Sequence, residues 1–224
     1  SSAASDVYKR QVRRNNIEVA ASHRFCNAAP VTIAIYYGMQ SMFEGETHVL
    51  TPGGAYTDWT EAAKASTFTK QEYPLFRRYV EKNRQGYQST WLLPDGLGDH
   101  ALLDGQDDIF IYAPYGKSYH KLFGNKRMEN GDKTCWRGVY TWFETPVADD
   151  ADLLCYEGSA GGHTAVFIDC KRACKRTLAL PGYLDLRHFG TAEQNSGIRI
   201  SAAGRNKLKI KADAPGSCVL LLRE

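Results

Sequence analysis

The side chains best suited to chemistry in the first half of the chain are two carboxylates and two aromatics. Glu44, Glu46 and His48 share a polar loop that runs from 44 to 57 and contains Pro52-Gly53-Gly54. The apolar run Val31–Tyr37 precedes it, ending at Gly38, and Trp59 follows it. Tyr and Trp rings stack on the apolar C–H faces of sugars, and carboxylates accept hydrogen bonds from hydroxyls or act as acid and base. Glu44 and Glu46 are too close in sequence to be assigned as a hydrolytic pair, whose carboxyls stand roughly 5–9 Å apart across the bond and usually come from different strands. Tyr37, Glu44, Glu46 and Trp59 are the candidate ligand-binding residues.

Six cysteines, Cys26, Cys135, Cys155, Cys170, Cys174 and Cys218, form an even set. Two or three disulfides in an extracellular protein fit that count, as do reduced, buried thiols in a cytosolic one. Secretion is the preferred reading, although no Asn-X-Ser/Thr site is present. Cys170 and Cys174 lack a second pair of Cys or His at ligand spacing, so no metal is expected, and no cofactor. The net charge of +3 is too small to indicate nucleic acid, and no apolar run is long enough to span a bilayer.

These residues need elements to hold them. Val31–Tyr37 reads as a buried strand, although periodicity also allows a helix from Ala28. Asp58 with Glu61 has capping-box spacing for a helix over 58–68. Leu75, Phe76, Tyr79 and Val80 fall on one face of a helix over 73–84, with Arg77, Arg78, Glu81 and Lys82 opposite. After Gly86 the texture changes to short apolar or alternating segments: Ile109–Ala113, Thr164–Cys170, Thr177–Leu180, Ile198–Ser201, Lys207–Ala212 and Cys218–Leu222. Glycine-rich turns between them predict antiparallel sandwich modules. Lys207–Ala212 alternates basic and apolar residues, one solvated face of a strand, for which anionic glycan is a candidate ligand. Trp136 and Trp142 read as packing residues in preference to sugar platforms.

Between Arg24 and about Tyr156 the chain resembles the C-terminal portion of the apiosidase-like glycoside hydrolases, which are (β/α)8 barrels followed by a small β-domain labelled collagen-binding. The similar positions are Arg24, Ala28, Tyr37 and Gly38; Trp59-Thr60-Glu61-Ala62; Leu75 to Arg84 with Leu92-Leu93-Pro94-Asp95; Asp104-Gly105 with Tyr112 to Gly116; and Trp142-Phe143 with Pro146 and 149–154. A histidine of the family's Gly-His-Tyr-Gly passage is missing at Ala34–Gly38. The stretch from Asp152 onward resembles the terminal β-sandwich of many glycosidases. Residues 1–11, Ser-Ser-Ala-Ala-Ser-Asp-Val-Tyr-Lys-Arg-Gln, resemble a translated sequencing adapter.

Together these resemblances imply a truncated chain: an adapter-derived segment over 1–11, an α/β barrel remnant holding the last β/α units over 12–90, and β-sandwich modules over 91–224, divided near 150. They imply a fragment of a polysaccharide-cleaving hydrolase. Its catalytic acid and nucleophile would lie upstream, leaving Tyr37, Glu44, Glu46 and Trp59 at the substrate rim.

A second resemblance competes. Cys26 ahead of Ala28–Gly38, with His163 in Gly161-Gly162-His163-Thr164, is similar to the papain-like and double-glycine cysteine peptidases. It implies a thiol activated at a helix N-terminus, His163 as base, and Asp169 or Asp185 orienting the imidazole. A third reading is a carbohydrate-binding β-protein without catalysis.

Overall fold

The computed structural model describes residues 3–13, 15–43, 48–50, 56–58, 67–69, 78–93, 108–113, 117–194 and 197–222. Nineteen strands and no helix occur among them. In chain order these are β1 (Ala3–Arg13), β2 (Asn16–Cys26), β3 (Val31–Ser41), β4 (His48–Leu50), β5 (Tyr56–Asp58), β6 (Thr67–Thr69), β7 (Arg78–Asn83), β8 (Gly86–Leu92), β9 (Asp108–Ala113) and β10 (Lys117–Met128). Then come β11 (Lys133–Phe143), β12 (Ala148–Asp149), β13 (Leu153–Ala160), β14 (His163–Cys170), β15 (Cys174–Ala179), β16 (Phe189–Gln194), β17 (Ile198–Ala202), β18 (Lys207–Ala212) and β19 (Gly216–Leu222).

They assemble into four sheets, of order β1-β2-β11-β8-β7-β4-β5, β3-β10-β9-β6, β12-β13-β14-β19-β16 and β15-β18-β17. The sheets stack as four layers. Side chains of β2, β7, β8 and β11 meet those of β3 and β10 in one core, around Ala21, Met39, Tyr79, Leu92, Leu122 and Phe123. Strands β13, β14 and β19 meet β15, β17 and β18 in another, around Leu153, Val166, Ile168, Leu208, Ile210 and Leu220. The remaining faces of the two inner sheets close on each other through Val80, Trp91, Val139, Tyr156, Phe167 and Val219. The chain crosses from the first sandwich to the second at 144–147, between β11 and β12. Strand β8 lies mid-sheet between β7 and β11, so residues on both sides of position 90 share one sheet.

Three expectations are corrected. The barrel remnant is absent: a (β/α)8 unit needs parallel strands each followed by a helix, whereas every strand pairing among the described residues is antiparallel. Val31–Tyr37 does form a strand, but it is half-exposed and runs antiparallel to β10. The helix expected over 73–84 is strand β7 where it is described, from Arg78. Its pattern misleads because both faces of β7 are buried, charges included. Arg78 and Glu81 are 1% and 0% exposed, as deeply buried as Tyr79 and Val80. Likewise Asp58, the expected helix cap, ends strand β5, and Thr67 and Phe68 lie in β6. Ala3–Arg13 pairs along the whole of β2. A backbone ladder can form on many sequences, so this pairing speaks to conformation and not to the segment's origin.

Local chemistry explains the close approaches. A side chain at Gly138 would place its Cβ 2.1 Å from the Met39 sulfur, so Met39 packs directly on the β11 backbone and any larger residue there would displace it. The register of β10 against β3 slips between Lys121 and Phe123, and the adjacent residues Leu122 and Phe123 are both buried in the core.

The inner sheets are joined by a buried ion pair. Arg78 Nη1 and Nη2 donate to Asp169 Oδ2 and Oδ1 at 2.6 and 2.7 Å. Arg78 also donates to the Tyr156 and Ser217 hydroxyls, and its guanidinium lies 5.1 Å from the Phe167 ring centroid. Removing one partner of such a pair strands a charge in the interior. Asp169→Ala is therefore expected to lower stability by about 3–5 kcal/mol, while Arg78→Met combined with Asp169→Leu recovers most of the loss in urea denaturation. Equal losses for both variants would refute charge burial as the cause.

A second buried group sets a pH limit. His120 is fully enclosed, its ring 5.2 Å from that of Tyr79, and burial pulls its pKa from 6.5 down to about 3. The folded value lies below the unfolded one, so this contribution is complete above pH 6.5 and erodes as pH falls toward 3. By pH 4 the loss is on the order of 3 kcal/mol. Melting curves of His120→Phe are expected to show a shallower decline between pH 6.5 and 4 than those of the unaltered protein.

Candidate functional site

Strand parity builds an aromatic concavity on the first sandwich. On β11, Trp136, Gly138, Tyr140 and Trp142 share the face toward β3, because side chains two apart on a strand point the same way. The registers place Ile17 beside Tyr140, Ala21 beside Trp136 and Gln88 beside Trp142. Strand β3 passes above, with Gly38 lacking a side chain where it meets Leu122. The result is a cavity of about 550 Å³ whose lining includes Tyr37, Gln40, Gln88, Trp136, Tyr140 and Trp142.

Hydrogen bonds fix its aromatic wall. Trp142 Nε1 donates to Gln88 Oε1 at 2.8 Å, and the Trp142 ring stacks on Tyr140 with centroids 6.0 Å apart. The Tyr140 hydroxyl donates to the Gln40 carbonyl at 2.9 Å and accepts from the Gln40 N–H at 3.2 Å. Burial raises the Tyr140 phenol's pKa, so the hydroxyl stays a neutral donor. Behind the wall, the Glu81 carboxylate accepts from Ser41 Oγ at 2.6 Å and Gln88 Nε2 at 3.3 Å. Burial, with Glu81 adding to it, holds the neighbouring Tyr79 phenol well above its ordinary value.

Of the residues singled out by sequence, Tyr37 lines this cavity, half-buried. Glu44, Glu46 and Trp59 lie outside the described residues. Packing is the expectation from sequence for Trp136 and Trp142. Trp136 is indeed in the core, but both also line the cavity. Gln40, Gln88 and Tyr140 were missed. The spacing Trp-x-Gly-x-Tyr-x-Trp over 136–142 carried a usable signal, a same-face aromatic row on a strand.

The thiol and imidazole are not brought together. Cys26 ends β2 and is exposed, and β2 is a strand with no helix at its end. His163 begins β14, beside the Gly161-Gly162 turn. The Gly161 N–H donates to Glu18 Oε2 at 3.0 Å, which ties that turn to the opposite end of β2. Eight residues of strand separate Glu18 from Cys26, roughly 26 Å. Both proposed orienting carboxylates are engaged elsewhere: Asp169 with Arg78, and Asp185 with Arg187, whose hydrogen bonds hold the Asp185 carboxyl far below its usual range.

All six cysteines carry free thiols. Cys155, Cys170 and Cys218 are buried in the second sandwich, with Cys174 packed against them. Burial pushes the Cys155 and Cys170 thiols up. No group of three His, Cys, Asp or Glu side chains converges as a metal site among the described residues. No helix there is long and apolar enough to cross a membrane.

Thiol reactivity follows exposure and thiolate character. Native protein treated with iodoacetamide at pH 8 is expected to label Cys26 first and to leave Cys155 and Cys218 unmodified until denaturant is added, as read by peptide mass spectrometry. Compared with known proteins, the chain matches no family model, no curated protein and no solved structure.

Proposed function

We propose that this chain is a carbohydrate-binding β-protein whose ligand site is the aromatic cavity between β3 and β11. The observation that carries the reading is the lining itself. Tyr37, Tyr140 and Trp142 offer ring faces, while Gln40 and Gln88 bring amide groups to the same lining. Stacking faces combined with a few fixed polar groups suit a sugar, which is apolar on its ring faces and polar at its rim. The Tyr140–Gln40 and Trp142–Gln88 bonds hold the wall before any ligand arrives, which reduces the ordering cost of binding.

The lining favours binding over hydrolysis. Among the described residues its lining holds no carboxylate. Glu81, which stands behind the wall, is buried and committed to Ser41 and Gln88. Cleavage of a glycosidic bond uses two carboxyls on opposite sides of an open site. The carbohydrate partner of the resemblance is retained here without the barrel.

Trp142→Ala removes a stacking face and the bond to Gln88 while leaving the inter-sandwich core intact. Affinity electrophoresis through gels containing neutral polysaccharides is the test. The unaltered chain is expected to be retarded by at least one neutral glycan, and Trp142→Ala to bind it at least about tenfold more weakly, the equivalent of one aromatic contact. Retardation that survives both Trp142→Ala and Tyr37→Ala would place the ligand elsewhere.

A further inference from the structure

The outer face of the β15-β18-β17 sheet presents a concentration of positive charge that the aromatic cavity does not use. The registers align Lys175, Lys211 and Arg199 in one row across the three strands, and Thr177, Lys209 and Ser201 in the next. Lys207 follows, opposite Ala179. All of these side chains are exposed, while Leu208, Ile210 and Ala212 on the alternate positions of β18 are buried. Neighbouring strands stand about 4.8 Å apart, and same-face residues along one strand are roughly 7 Å apart. Five cations therefore share a small flat area.

Such an arrangement is unfavourable by itself, because like charges directly opposite on adjacent strands repel. Asp213, just beyond β18, offsets part of this by pairing with Arg199 at 2.5 Å and approaching Lys211 at 3.5 Å. Lys175, Lys207 and Lys209 make no ion pair among the described residues. Lysines often blunt the edge of a sheet against unwanted pairing. That account fails for Lys207, Lys209 and Lys211, since β18 is the central strand and both its edges are already paired.

We propose that this face binds a sulfated linear polysaccharide, its sulfate esters seated between lysines of neighbouring strands. A sulfate ester spreads one negative charge over three terminal oxygens, so one group can accept from ammonium groups on two strands and from the Thr177 or Ser201 hydroxyl beside them. The outward positions hold no aromatic side chain on which a nucleic-acid base could stack. Nor do they hold an apolar side chain larger than alanine to enter a bilayer. A flexible polyanion that needs only charge and hydroxyl contacts is what remains. This site lies on the second sandwich and does not depend on the aromatic cavity.

The experiment measures affinity of the full chain for dextran sulfate, dextran and carboxymethyl dextran across a salt series, with single-stranded DNA and phosphatidylserine vesicles as rival polyanions. Dextran sulfate is expected to bind, dextran not, and carboxymethyl dextran more weakly. Changing Lys207, Lys209 and Lys211 together to Gln is expected to weaken binding at least about tenfold and to flatten its salt dependence. A control carrying Arg24→Gln, Arg127→Gln and Lys133→Gln loses the same charge from exposed positions on the first sandwich and is expected to bind within about twofold of the unaltered chain. Both variants change exposed side chains only, and matching circular dichroism spectra verify folding. Trp142→Ala is expected to bind dextran sulfate normally. The proposal is overturned if dextran sulfate is not bound, if the control loses as much as the lysine variant, if carboxymethyl dextran binds equally, or if DNA or vesicles bind more tightly through the same lysines.

Discussion

The contact between Arg78 and Asp169 governs how the four layers can be stacked. Each charge comes from a different inner sheet, and each is almost wholly removed from water. Neither can be left without the other, because an unpaired ion in the interior is far more costly than the pair. The planar fork of arginine meets the carboxylate with two parallel bonds, which fixes angle as well as distance. Sheet-on-sheet packing by apolar side chains alone would allow sliding. Here the bidentate pair, with Tyr156, Ser217 and Ser89 completing its surroundings, specifies one register. Rings extend the constraint away from the charge. Tyr87, Phe143, Tyr156 and Phe167 stack in succession with centroids 4.3 to 4.8 Å apart, and Trp91 meets Phe167 edge-on.

That interface also supports the aromatic cavity, because the same strands serve both. On β11, Phe143 enters the ring stack while Trp142, one residue earlier, faces the cavity. On β8, Tyr87 faces the interface and Gln88 the cavity. The wall that positions Trp142 and Gln88 is thus backed by close-packed rings, which leaves it little freedom to reshape. At the rim of the interface, Asp149 accepts from Lys82, Tyr87 and Lys171 at 2.5 to 2.6 Å, a second polar tie between the two halves. Though burial alone would raise it, these bonds bring the Asp149 carboxyl below its ordinary value.

What the sequence disclosed depended on how many faces of each strand are covered. Lys207–Ala212 shows clean alternation because β18 belongs to an outer sheet with one wet face. Thr164–Cys170 and Cys218–Leu222 were legible for the opposite reason: strands covered on both sides read as continuous apolar runs between turn residues. Arg78–Asn83 was not legible. It is equally covered, but two of its buried positions are ionic, and an arginine and a glutamate beside Tyr79 and Val80 imitate an amphipathic helix. Nothing local marks those charges as paired, since Asp169 lies 91 residues away and Ser41 lies 40 residues away. The cavity was partly legible for the same kind of reason. Tyr37 stood out at the end of an apolar run, whereas Gln88 and Gln40 acquire meaning only when β8 and β3 are set beside β11.

The double coverage of the inner sheets has one more consequence, for how the halves relate as folding units. Each outer sheet needs only its inner partner. Each inner sheet needs two partners. Separating the chain at 144–147 would bare Val80, Trp91 and Val139 on one piece and Tyr156, Phe167 and Val219 on the other, and would split Arg78 from Asp169. Apolar surface of that extent, with a lone charge at its centre, is not one that an independent domain can present to water. The two sandwiches are therefore better regarded as one cooperative body than as modules on a linker. The aromatic cavity and the basic face are then held on a single rigid support, at separate layers of the stack. A ligand that met both would have to run over the outside of the protein, as a chain polymer can and a small molecule cannot.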